Sequence, residues 1–282
     1  MANDLFRIPV GKWAQTALDW VIDNLGAFFD GLKAFFQQFY DALDWVLVTP
    51  PFWAVIIVLA ALAFWVKGWK LALGTIVGFL LIYGMNQWEN AMDSLALVLV
   101  AALVAVIISV PLGIAAAKSA AVSSVVKPVM DFLQTMPAFV YLIPVMLLLS
   151  VGPVPGIVAT IVFALAPGAR FTELGIRSVD SEVVEAGQAF GASPMRILRQ
   201  IQIPLAMPTI MAGINQVIML SLSMVVIAGM VGAGGLGGAV YAALTSLNTP
   251  LGVESGLSVV ILAIFLDRIT ASLGRPRDHE QA

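Results

Sequence analysis

The run EAGQAFGASPMRILRQIQIP, Glu185 to Pro204, decides how the rest of the chain is read. Glu182, Glu185, Gln188, Arg196, Arg199, Gln200 and Gln202 crowd it with groups that lipid rejects. A charge at mid-bilayer costs roughly 2.5–3.5 kcal/mol on insertion scales. Apolar segments of membrane length flank the run on both sides, so it is a water-side island held between spans. Asp180 or Ser181 can cap a first short helix, and Glu182 falls in its first turn, where the helix dipole favours negative charge. Val183, Ala186, Gly187 and Phe190 follow helical spacing and form one apolar face. Gly191 suits a left-handed terminus. Ser193 and Pro194 then start a second helix as N-cap and first helical residue. Met195, Leu198 and Ile201 make its apolar side, and Pro204 is expected to stop it. A small amphipathic helix pair between spans is a docking knob.

Composition sets the class. The chain has 282 residues, 60% hydrophobic and 11% charged, with a mean hydropathy of +0.98. That excludes an ordinary soluble domain and implies an all-α polytopic membrane protein. Continuous rather than alternating apolar runs argue against a closed barrel. There is no Cys, hence no disulfide, thiolate nucleophile or Cys-based metal site. The single His279 lies in the polar tail. The first residues lack a basic region followed by an apolar core, so no cleavable signal peptide is expected.

The chain divides into an aromatic amphipathic arm (1–45), two added spans (46–89), a core (90–271) and a tail (272–282). Within 13–40, one helix or a helix pair is expected to lie at the membrane interface, on the exterior. The alternative is an arm that packs on the protein itself. About seven spans are expected: Val46–Val66, Leu71–Met85, Ser94–Ala117, Val129–Ser150, a short Pro155–Ala169, Pro208–Val231 and Ser255–Ile269. Gly74-x3-Gly78 is a close-packing motif on the second of these. With Glu185–Pro204 on the inside, Lys67, Lys70, Lys118, Lys127, Arg170, Arg177, Arg196, Arg199, Arg268, Arg275 and Arg277 are inside. Only Arg7, Lys12 and Lys33 remain outside. All 14 cations are then placed, and the positive-inside rule agrees with the orientation. The N-terminus is expected outside and the C-terminus in the cytoplasm.

Inside the membrane, Thr209, Gln216 and Ser223 recur every seven residues, with Met230 continuing the series. They form a stripe that either lines a translocation pathway or bonds neighbouring helices. Asp131, Gln134, Ala138 and Tyr141 share one side of the fourth span. Phe139, Tyr141 and Phe163 are candidates to hold a methylated ammonium group by cation–π attraction, or are packing. Gly232-Ala233-Gly234-Gly235-Leu236-Gly237 has the G-x-G-x-x-G spacing. It follows a membrane segment rather than a strand, so it is read as a tight external turn and not a nucleotide site. No P-loop, catalytic dyad, triad or metal cluster is discernible.

Glu185-Ala186-Gly187, three residues, Gly191, nine residues and Ile201-Gln202-Ile203-Pro204 resemble the EAA loop of ABC importer permeases. Gly187 and Ile203 depart mildly from that pattern. Further stretches carry the likeness: PVMDFLQTMPAFVYLIPV (128–145), GPVPGIVATIVFALAPGARFTELGI (152–176), PLAMPTIMAGINQVIMLSLSMVVIAGMVGAGGLG (204–237) and VVILAIFLDRIT (259–270). They are similar to the permeases of proline and glycine betaine uptake systems, over about residues 90–271.

The resemblance implies a type-1 ABC transmembrane core in a bacterial inner membrane. It implies a partnership of two permease copies, two ATPase subunits and a periplasmic or lipid-anchored binding protein. Glu185, Ala186, Gly187, Phe190, Gly191, Ser193, Pro194, Met195, Ile201 and Pro204 would couple to the ATPase. ATP and Mg would bind on that partner, with no cofactor in this chain, which would not itself be an enzyme. Glycine betaine is the default solute; proline betaine, choline, carnitine and trimethylamine N-oxide are carried by related members. A stand-alone osmolyte channel or secondary transporter is the alternative of another class. A permease for amino acids or sulfonates is a third.

Overall fold

In the computed structural model, which describes residues 9–273, the chain is helical throughout, with no strand among the described residues. The elements are α1 (Val10–Val48), α2 (Phe52–Lys67), α3 (Trp69–Gly84), α4 (Trp88–Lys118), α5 (Ala120–Thr135), α6 (Ala138–Leu149) and α7 (Pro153–Arg177). They continue with α8 (Ser181–Ala189), α9 (Pro194–Ile197), a π-turn (Leu198–Gln202), α10 (Ile203–Gly229), α11 (Gly235–Ser246) and α12 (Thr249–Leu273). Arg7, Arg275, Arg277 and His279 lie outside the described residues.

All seven expected apolar segments are helical, but not all are single rods. Among the described residues, four continuous helices are long and apolar enough to cross a membrane: Trp88–Lys118, Pro153–Arg177, Pro194–Gly229 and the last, Thr249–Ser272. The expected first span begins late. α1 runs on to Val48, Pro50 and Pro51 break the chain, and α2 leaves at 101° to α1. With 16 residues, α2 reaches only about 24 Å at 1.5 Å per residue. A single residue, Gly68 at φ 84°, folds α3 back beside it. The arm is one 39-residue helix rather than a pair. Phe36, Tyr40 and Leu47 anchor its C-terminal half in the main core, while Trp13, Trp20, Phe28 and Phe35 stay exposed.

The expected fourth span is two helices. α5 and α6 meet at 97° across Met136-Pro137, because proline disfavours a helical residue before it and lacks the N–H to continue the ladder. Residues 118–127, between the expected third and fourth spans, are mostly the start of α5; Ser119 Oγ caps it, accepting from Val122 N at 3.3 Å. The fifth span is far longer than Pro155–Ala169. Charged Arg170, Glu173 and Arg177 prolong it as α7 instead of ending it, since Glu173 is paired with Arg177 at 2.8 Å and Lys127 at 3.2 Å.

Small residues let α4, α7 and α10 approach closely. A Cβ on Gly113 would meet Thr172 Cβ at 2.6 Å. One on Gly213 would meet Phe171 Cβ at 2.6 Å, and one on Gly156 would meet Ala228 Cβ at 2.7 Å. The Gly74-x3-Gly78 motif is used at one end only. A Cβ on Gly78 would sit 2.8 Å from Ile261 Cγ2 of α12, whereas Gly74 faces open space. Gly78→Ala is therefore expected to cost about 1 kcal/mol through displacement of Ile261. Gly74→Ala should stabilise by about 0.5 kcal/mol through helix propensity. Thermal unfolding of the purified chain separates the two; equal shifts would remove any special role for Gly78.

The expected external turn at 232–237 is itself partly helical, since α11 begins at Gly235. Gly232 and Gly234 take positive φ (82° and 74°), then α11 folds onto α10. Leu236 N donates to Ser94 Oγ at 2.8 Å, which fixes the start of α11 against α4.

Candidate functional site

The helix pair at 181–203 forms with the expected break. Asp180 Oδ1 accepts from Glu182 N at 2.9 Å and caps α8. Gly191 adopts φ 77°, and its N–H donates to Gln188 O at 2.8 Å. Ser193 stands at the N-cap of α9 in extended backbone and Pro194 follows at the first helical position, but the Ser193 hydroxyl makes no capping bond.

Two expectations here are corrected. Pro204 does not stop the helix. Pro204 has no N–H to give the preceding turn, and the backbone passes through a π-turn in which Ile203 N donates to Leu198 O, five residues back. Residues 194–229 are thus one 36-residue helix. The α8 face of Val183, Ala186, Gly187 and Phe190 does not pack as a unit either. Only Gly187 lies inward, where a Cβ would be 2.8 Å from Ile201 Cδ1. Val183 and Ala186 are exposed, and Phe190 is 93% exposed.

On the second helix, Leu198 is buried with Ile176, Ala206 and Ile210, which roots the pair in α7 and α10. Ile197, absent from the expected face, is buried too, while Ile201 is half-buried and Met195 exposed. Glu185, Arg196 and Arg199 also face outward. Lys118 Nζ, at the end of α4, donates to Gln202 Oε1. The result is a rooted base bearing an unpaired apolar tip.

Gly187 and Gly191 should respond oppositely to alanine. At Gly187 the obstacle is the end of a flexible Ile201 side chain, so Gly187→Ala should change stability by less than about 0.5 kcal/mol. At Gly191 the backbone is left-handed, so Gly191→Ala should cost about 1–2 kcal/mol despite the open space around it. Thermal unfolding of both variants checks this; a harmless Gly191→Ala would mean the break is not held in that conformation.

The candidate pathway residues are dispersed. Because of the bend at Met136-Pro137, Asp131 and Gln134 on α5 do not share a helical side with Ala138 and Tyr141 on α6. Gln134 and Phe139 are exposed; the side chain of Tyr141 lies outside the described set. Phe163 is half-buried in a small cluster with Ala138, Leu142, Ala159 and Met224. On α10, Thr209 packs toward Gly175 of α7. Gln216 and Ser223 are exposed, and Ser223 Oγ donates to Met219 O of its own helix at 3.0 Å.

Periodicity overlooked the polar groups that α7 carries. Glu173 is 4% exposed and accepts from Ser123 Oγ at 2.8 Å while pairing with Lys127 and Arg177. Arg177 also donates to Ala116 O at 2.8 Å. Higher on α7, Arg170 pairs with Asp131. These side chains and Leu174 line a cavity of about 340 Å³ between α5 and α7. A second network joins α10 to α12: Asn215 Nδ2 donates to Asp267 Oδ1 at 3.2 Å, and Thr270 donates to Asn215 Oδ1. The signal available in sequence was a Glu flanked by Arg at i−3 and i+4.

Residues 109–275, more than half of the chain, match the family described as "Binding-protein-dependent transport system inner membrane component". Glycine betaine transport system permease protein OpuAB of Bacillus subtilis (strain 168) is 45% identical over 267 residues, 95% of each chain. Glycine betaine/proline betaine transport system permease protein ProW of Escherichia coli (strain K12) is 43% identical over 268 residues, 95% of this chain and 76% of ProW. Glycine betaine/carnitine transport permease protein GbuB of Listeria monocytogenes is 45% identical over 277 residues, 97% of this chain and 98% of GbuB. In fold, the chain is similar to a solved structure titled as inward-facing conformations of the MetNI methionine ABC transporter, with a TM-score of 0.62 at 22% identity, over 67% of this chain and 94% of that one. A span-rich all-α body, a charged helix pair rooted between its long helices, and matches along nearly its whole length place the chain in one family: it belongs to the inner-membrane components of binding-protein-dependent transport systems.

Proposed function

We propose that this chain is the permease subunit of an ATP-driven importer for glycine betaine and proline betaine, and that 181–203 couples it to the ATPase. The observation that carries the coupling is the exposed tip of Phe190 and Met195 on a base continuous with the long helix 194–229. A tip so little covered by its own chain, beside the start of a 36-residue helix, is a lever arm with a free contact. The solute class is supported by relatives at 43–45% identity that are glycine betaine, glycine betaine/proline betaine and glycine betaine/carnitine permeases.

The working unit comprises two copies of this chain, two ATPase subunits that bind ATP and Mg, and an extracytoplasmic binding protein. Closure of the ATPase dimer moves the helix pair, and α10 tilts to open the pathway outward. Gln134, Phe139, Gln216 and Ser223, exposed in the single chain, face that pathway in the assembled pair. Residues 1–45 form an exterior arm, 46–89 two added spans, 90–271 the core and 272–282 a cytoplasmic tail. The 101° turn at Pro50-Pro51 supports an arm lying along the membrane plane, with exposed Trp13, Trp20, Phe28 and Phe35 suited to the interface.

Reconstitution in liposomes with the ATPase and binding protein tests this. Uptake of labelled glycine betaine should require ATP and all partners. Uptake at full rate without the ATPase would establish the channel or secondary-transporter alternative instead.

A further inference from the structure

We propose that the cavity between α5 and α7 is an inner-side binding station for a zwitterion, with Arg170 receiving the solute's carboxylate and Asp131 attracting its ammonium end. This rests on the reading of the chain as an importer of betaine-type solutes.

The two charge groups lining the cavity differ in kind. Glu173 is buried and fully engaged: Ser123, Lys127 and Arg177 all contact it, and Arg177 reaches on to Ala116 O. Removing the two cations would leave the buried Glu173 carboxylate uncompensated, so this group is a strut between α4, α5 and α7. Asp131 and Arg170 pair with each other, yet their side chains are 59% and 41% exposed. The Arg170 Nε is shielded and has no hydrogen-bond partner. A guanidinium carries five N–H donors in a planar fork that matches a carboxylate. The Nε is sealed from the cavity, so a second acceptor meets the exposed terminal nitrogens of the fork, where Asp131 already touches Nη2.

Arg170 lies seven residues before Arg177 on α7, about 10 Å along the helix axis. Ionisable groups on a helix that crosses a membrane face water-filled space or one another. The volume, about 340 Å³, falls at the lower end of the ~300–1,000 Å³ typical of small-molecule sites.

An exposed ion pair contributes little stability, so a zwitterion can exchange with it at small cost. The solute's carboxylate takes the place of the Asp131 carboxylate on Arg170. Its quaternary ammonium, which has no N–H to donate, is held near Asp131 by charge alone. Such a hold is weak, as release into the cytoplasm requires. A cation without a carboxylate gains nothing from Arg170, and an anion without an ammonium gains nothing from Asp131.

The test uses the complete transporter in lipid nanodiscs and liposomes. Arg170→Gln and Asp131→Asn should each lower the maximal rate of glycine betaine uptake by about tenfold or more, while half-saturation, set by the binding protein, stays unchanged. Arg170→Lys should recover part of the rate. Without binding protein, the wild-type permease–ATPase complex should bind labelled glycine betaine at millimolar concentration. Proline betaine should compete, and choline and acetate should not. Wild-type rates in both variants, or competition by choline equal to that by proline betaine, would overturn the proposal. If a variant fails to assemble, the wild-type competition still decides. A complex that imports some other solute and no glycine betaine refutes the importer reading itself.

Discussion

Phe190→Ala combined with Met195→Ala is expected to reduce ATP-dependent uptake by at least about a hundredfold while leaving the chain folded. Phe190 is 93% exposed and Met195 55% exposed, so neither contributes much to the monomer's own packing. Burying such side chains in a partner groove is worth about 1.5–3 kcal/mol each. The pair together amounts to about 3–6 kcal/mol, or roughly two to four orders of magnitude in affinity. The measurement combines thermal unfolding of the isolated permease, co-purification with the ATPase, and uptake in liposomes. Unchanged unfolding with lost co-purification or uptake is the expected pattern. Normal transport by the double variant would sink the coupling assignment, and a parallel fall in stability would mean the tip packs on the permease itself.

The second large effect belongs to the contact between α10 and α11. A Cβ on Gly237 would land on the Val225 carbonyl, and one on Gly229 would land on the backbone of Gly237 and Gly238. Backbone obstructs in both cases, and backbone cannot swing aside as a side chain does. Gly237→Ala should therefore cost about 3 kcal/mol or more, lowering the midpoint of thermal unfolding by roughly 6–12 °C for a chain of this size. Gly238, next in sequence, faces open space, and Gly238→Ala should be harmless. Fluorescence-monitored unfolding of the two variants gives the contrast. Similar midpoints would mean α11 does not press on α10.

The legible parts of this chain were those with local causes. Asp180, Gly191 and Pro194 specify a cap, a left-handed terminus and a helix start within a few residues, and the helix pair formed around them. The apolar runs likewise marked where helices lie. What stayed hidden depends on contacts distant in sequence. Arg170, Glu173 and Arg177 looked like the end of a span because their partners, Asp131, Lys127 and Ser123, sit on another helix. The glycine-rich stretch at 232–238 looked like a turn because nothing nearby reveals that α10 offers a backbone groove for it. Proline was ambiguous in both directions: Pro137 separates two helices, whereas Pro204 is absorbed.

That absorption sets a rule for length variation. The widened turn at Leu198–Gln202 holds one residue more than an α-helix needs over the same rise. Removing a single residue there would bring the backbone back to the rise of an ordinary helix with the faces on either side kept in phase, the one hydrogen bond that Pro204 cannot give remaining absent. The same deletion elsewhere in α10 would rotate everything beyond it by about 100°. This slack lets the chain shorten between α8 and the long helix without losing its alignment.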